Sequence, residues 1–205
     1  MKRSTLNRIL LLWTLTWVIM LLAGCTTSWV SEATNVIALL GPAISSILAI
    51  ISAFGLGLSP AVATALQSWS TDAETALQQV ATLINQYNAA EATAQPGILV
   101  EIQTLLGVIS NNLSTILPTI KVENAIVQAK IEAIVEAFQA ELSSLIALVP
   151  ALQAAVEAGG SQHDQLKYLV NHGALGRLKT GQEFKADFNA KILAFGPTAE
   201  QYKLK

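Results

Sequence analysis

One cysteine, two histidines and a thin supply of charge limit the chemistry open to this 205-residue chain. Because Cys25 is the only cysteine, no disulfide can form within the chain and no cysteine pair can hold a metal. His163 and His172 stand nine positions apart, which puts them on opposite faces of a helix rather than together. There is no Gly-rich phosphate loop, zincin motif or nucleophile elbow, and Gly173-Ala174-Leu175-Gly176 is only a loop with two glycines. No cofactor, no metal and no catalytic residues are expected, and the chain is read as a non-enzyme. Charged residues make up 13%, about half the usual share of about 25%. The net charge of −2 provides no basic field for nucleic acid. Aromatics are scarce at 6%, while hydrophobic residues reach 52% and are mostly Ala, Leu, Ile and Val. That composition buries a sizeable core and favours packed helices over a β-sandwich.

What charge there is begins with Lys2, Arg3 and Arg8. Ile9 to Leu22 follows without a charge, and small residues Ala23 and Gly24 lead to Cys25. This order of positive, apolar and small segments reads as an export signal. The apolar run falls short of the roughly 20 residues that a spanning helix needs.

Leu22-Ala23-Gly24-Cys25, with Leu21 before it, resembles the lipobox of bacterial lipoproteins. The resemblance covers residues 1–25 only. It implies cleavage between Gly24 and Cys25, a diacylglyceryl thioether on the Cys25 sulfur, and usually a fatty amide on the freed amine. Two or more acyl chains anchor a protein stably, so the expected partner is the membrane, through lipid on Cys25. Thr26 follows the cysteine where the class uses Asp for inner-membrane retention. The resemblance therefore implies an outer-membrane location in a double-membrane organism and the cell-membrane surface otherwise.

The reading divides the chain into a signal peptide (1–24), a lipidated tether (25–32), a helical bundle (33–158) and a short-helix C-terminal region (159–205). Trp29 in the tether sits either at the lipid headgroups or against the first helix. No charge occurs from Ala33 to Thr71. A helix is predicted over about 33–54, with Pro42 kinking it at Gly41. The Gly-rich turn ends at Ser59, a cap, and Pro60, a first helical residue. Thr71 and Glu74 have capping-box spacing, which predicts a break and restart near Trp69. A third helix carries Leu99, Ile102, Leu106, Ile109, Leu113, Ile116 and Ile120, alternately three and four apart, and meets Pro118. A fourth carries Val127, Ile131, Ile134, Phe138, Leu142, Leu145, Val149, Leu152 and Val156, with Pro150 expected to bend or divide it. Glu123, Lys130, Glu132, Glu136 and Glu141 lie off that seam and read as a solvated face. The fold class is all-α: an antiparallel bundle of four or more long helices with a short helical appendage.

Charge separates the appendage from the bundle. Residues 26–158 carry a net −8 and residues 159–205 a net +3, which predicts a weak, salt-sensitive docking of tail on bundle. In the tail, Thr180 with Glu183 opens a helix striped by Phe184, Phe188, Ile192 and Phe195. Two functions fit. One is a lipid-anchored structural or interaction module whose seams pack internally, against a second copy, or against an envelope protein. The other is a membrane-active protein, a pore-forming, lysis or exclusion factor, that inserts the uncharged hairpin 33–66. The first rests on the anchor. Metabolic labelling with a palmitate analogue should mark the wild type and spare a Cys25→Ser variant, which should also leave the membrane fraction. Label persisting in the variant overturns the lipobox reading.

Overall fold

The computed structural model describes residues 29–55, 57–159, 162–174 and 178–205. The expected signal peptide (1–24), with Gly24, and the expected lipidation site Cys25 lie outside them. All regular structure among the described residues is helical. It comprises α1 (Trp29–Phe54), α2 (Pro60–Ala89), α3 (Gln95–Ile116), α4 (Ala125–Glu157), α5 (Gln162–Asn171) and α6 (Gly181–Leu193), with 3-10 turns at Leu117–Thr119 and Pro197–Tyr202.

The caps follow from the sequence. Ser59 Oγ accepts the Val62 N–H at 3.3 Å, with Pro60 just inside α2. Asn124 Oδ1 accepts from Ile126 and Val127 to start α4. Thr180 and Glu183 form a complete capping box. Gly159, at φ +72°, closes α4 in the left-handed region that residues with a Cβ rarely adopt.

Three local expectations differ from the structure. First, α1 includes Trp29, so residues 29–32 of the expected tether are already helical. Second, α2 does not restart near Trp69. Thr71 Oγ1 bonds back to the Gln67 carbonyl at 3.1 Å instead of capping. Trp69, Ala73, Leu77 and Val80 keep one buried face running through the site, and continuous packing outweighs a local capping preference. Third, Pro150 does not divide α4, so of the two forms expected there only a bend is left, and Pro42 likewise lies inside a continuous α1. Both prolines are exposed, so the carbonyl each deprives of a partner lies toward water.

The first four helices run antiparallel, each to the next. Trp29 at the start of α1 meets Tyr87 at the end of α2, Trp69 of α2 meets Ile109 of α3, and Ser114 of α3 meets Gln139 of α4. α4 returns to α1 and closes the four-helix ring. α6 lies over the seam between α1 and α4. It is parallel to α1: Gly181 sits by Asn35 and Leu39, and Phe195 sits by Phe54. A Cβ at residue 181 would approach Asn35 Cβ to 3.3 Å, so glycine allows the close start of this contact.

The seams are where the periodicity puts them. Leu99, Ile102, Leu106, Ile109 and Leu113 are buried in α3, and all the fourth-helix positions from Ile131 to Val156 are buried in α4. Phe184, Phe188 and Ile192 of α6 are fully buried, so the tail's stripe packs on its own bundle. Trp69 stands edge-on to Phe138, centroids 6.1 Å apart, at the middle of the ring. Replacing Phe138 with Ala should cost about 3–5 kcal/mol in urea unfolding, through lost transfer energy plus a cavity. A cost under about 1 kcal/mol would show that the ring does not pack around this side chain.

Candidate functional site

Buried polar side chains gather in two places. The first is the end of the bundle where α1 starts. The Tyr87 hydroxyl donates to Gln165 Oε1 at 2.9 Å, and Gln165 Nε2 donates to Gln95 Oε1 at 3.2 Å. Gln95 Nε2 in turn reaches the carbonyls of Tyr87 and Ala90, at 3.5 and 3.4 Å. The chain of bonds thus ties α2, α3 and α5 together, and its members are buried. Trp29 closes it from α1, edge-on to Tyr87 at 5.1 Å, with its own Nε1 buried and without a partner. Burial pushes the Tyr87 hydroxyl up to about 12, against a smaller opposing pull from the Gln165 hydrogen bond. It remains a neutral donor.

This cluster decides between the two sequence expectations for Trp29. The indole is 3% exposed and packed on α2, so it belongs to the core and not to a headgroup layer. Sequence reasoning missed Gln95 and Gln165. A glutamine near a helix start carries no periodic signal, and only the arrival of α5 at this end makes the pair meet.

The second place is the contact of α4 with α6. Glu141 was expected on a solvated face, yet it is 2% exposed. Its neighbours on that face, Glu132 and Glu136, are exposed as predicted. The difference is the tail, which crosses α4 at this level. The Lys179 backbone N–H favours the charged form of Glu141, while Glu141 Oε1 is buried without a partner. Desolvation, the largest influence, raises the carboxyl to about 7. The Lys179 charge lowers it, Glu183 raises it, the Lys179 backbone bond lowers it and Asp187 raises it. Asp187 itself is held below the usual carboxylate range by Lys179 and Lys191, each 2.8 Å away.

Neither place assembles catalytic or metal-binding side chains. Among the described residues, no three His, Cys, Asp or Glu side chains converge as metal ligands. His172 stacks on Tyr168 at 3.9 Å, with Nδ1 2.8 Å from the Tyr168 carbonyl. The side chain of His163, like Cys25, lies outside the description. The surface grooves are shallow. One, between α1 and α2, is lined by Thr34, Ala38, Gly41, Gln78 and Ala81, and at its rim Glu74 accepts from Ser45 at 3.3 Å.

Helix α1, whose one charged residue is Glu32 in its first turn, has two unlike faces. Its buried residues are Trp29, Val30, Ala33 and the aliphatic run from Val36 to Ile51. Its exposed positions are Ser31, Thr34, Asn35, Ala38, Pro42, Ser45, Ser52 and Ala53. The large apolar side chains exposed elsewhere are Val100, Val108, Ile126, Val170 and Leu193, none of them on α1.

No family model matches the chain, and it has no significant match among curated proteins or among solved structures.

Tyr87→Phe removes one hydroxyl and strands Gln165 Oε1. It should cost about 1–3 kcal/mol, the penalty of an unpaired buried acceptor. A Tyr87→Phe, Gln165→Leu double variant should recover part of this. Equal stability of Tyr87→Phe and wild type would remove the network from the account of this end.

Proposed function

We propose that the chain is a lipid-anchored protein of the bacterial cell envelope that presents a self-contained helical bundle as a structural or interaction module, with no catalytic role. The observation that carries this reading is the division of α1. Its large aliphatic side chains face the core, and its exposed positions are small or polar. Two helices, α1 and α4, are long and apolar enough to cross a membrane. In both, however, the apolar stripe is already spent on neighbouring helices. Turning α1 toward lipid would strip Leu40, Ile44, Ile47 and Ile51 of their packing, so a soluble bundle beside the bilayer is favoured over an inserted hairpin. The placement of α1 fits the anchor. Its first residue is four positions after Cys25, a reach of at most about 14 Å. The end sealed by Trp29, Tyr87 and Gln165 would then face the membrane, and the Phe54 and Phe195 end would face away. The absence of catalysis is supported by where the buried polar groups are: both clusters are closed to solvent rather than opening on a pocket.

The mature domain carrying Cys25→Ser should elute as one discrete, helical species and release no dye from liposomes. Aggregation under all conditions would refute a self-contained bundle, and dye release would favour insertion of 33–66.

A further inference from the structure

Glu141 has no role in holding the four-helix ring, and its position points to one in the tail. We propose that α6 with the turn after it is a proton-dependent clasp, closed over the α1–α4 seam while Glu141 is uncharged and loosened when it ionises. This inference concerns regulation of the bundle and does not depend on the lipid anchor.

The geometry is that of a joint. Glu141 lies on α4 where the chain entering α6 crosses it, close enough for the Lys179 backbone N–H to act on its carboxyl. Its Oε1 is sealed without a donor. A neutral carboxyl tolerates such a site, but a carboxylate does so only at high cost, because an unpaired buried charge has neither water nor a partner. The tail itself supplies the burial. If α6 lifts, the carboxyl regains water. The charged groups that act on Glu141 are Lys179, Glu183 and Asp187, all from the tail. Lys179 is the one cation among them, and its ammonium is committed to Asp187 at 2.8 Å. The other helices packed on α4 carry Glu32 in α1, Glu101 in α3, and Asp164 and Lys167 in α5. None of these contributes to the shift at Glu141.

The sign follows from linkage. The docked carboxyl binds its proton up to about 7, and a released one returns toward the ordinary value. Docking is therefore strongest in acid and weakens as pH climbs from the ordinary carboxylate range through neutrality. What opens is the seam between α1 and α4, the two most apolar helices, together with the stripe of Phe184, Phe188 and Ile192.

Hydrogen–deuterium exchange of the full-length chain in detergent tests this, at about pH 5.5 and about pH 8.5 with intrinsic rates corrected. The opening constant of α6 amides should rise on the order of tenfold between the two, while α2 and α3 amides stay level. Glu141→Gln should abolish the pH dependence. Glu183→Gln keeps a residue able to complete the capping box, yet removes a negative charge near Glu141, so its midpoint should fall to lower pH. Wild-type α6 exchange that ignores pH overturns the clasp, as does a wild-type pH response in Glu141→Gln. If Glu141→Gln does not fold, an unshifted midpoint in Glu183→Gln overturns it.

Discussion

A helix with no charge after its first turn has to be covered in water, and the arrangement of this bundle follows from covering α1. From Ala33 to Phe54 the helix has no charge to hold it at a surface. Its buried residues recur as a single position and a pair: Ala33, then Val36 with Ile37; Leu40, then Ala43 with Ile44; Ile47, then Ile50 with Ile51. That is three positions in seven, a stripe wider than the two-position seam of a coiled coil. Two neighbours fill a narrow seam. A wide stripe needs a third, and α6 joins α2 and α4 to supply it. The tail is therefore part of the core rather than an ornament on it, and Gly181 marks how closely α6 must approach for this to work.

Much of this was legible in the sequence, because hydrophobic period and capping chemistry are local signals. The α3 and α4 seams, the Ser59 cap and the Thr180–Glu183 box are all read within a few residues of the chain. What was not legible depends on a second segment arriving from far away. Glu141 sits beside a seam position and has the same surroundings in sequence as Glu136, which is exposed. Only the crossing of the tail separates them. Trp29 likewise reads as a tether residue until Tyr87 stands against it. At Thr71 the failure ran the other way. A good local capping signal lost to the burial of Trp69 and Ala73 on either side of it, since a break there would have opened the core face of α2.

The two buried polar clusters behave differently for a reason visible in their chemistry. Tyr87, Gln165 and Gln95 are neutral and pass donors to acceptors in sequence, so they pin the register of three helices at little electrostatic cost. Among the described residues, Trp29 Nε1 is the one buried gap in that end. Glu141 is ionisable and has one oxygen unmatched, so its cost changes with its protonation state. One end of the structure is fixed, and one joint is conditional.

The opposite charges of bundle and tail then acquire a narrower meaning than attraction between two surfaces. The ion pairs among the described residues, Lys179–Asp187, Lys191–Asp187 and Lys203–Glu200, all lie within the tail. None bridges tail to bundle. Lys130 of α4 meets the tail over the Phe195 ring, 5.6 Å from its centroid, and so contributes through an aromatic face rather than a carboxylate. Half-exposed pairs of this kind are each worth about 0–1 kcal/mol, whereas three fully buried side chains, Phe184, Phe188 and Ile192, are each worth about 1.5–3 kcal/mol. Apolar burial holds the tail, so added salt has little to screen at the contact itself. Inside the contact, the ionisable group that burial acts on most is Glu141, whose carboxyl it holds toward the uncharged form.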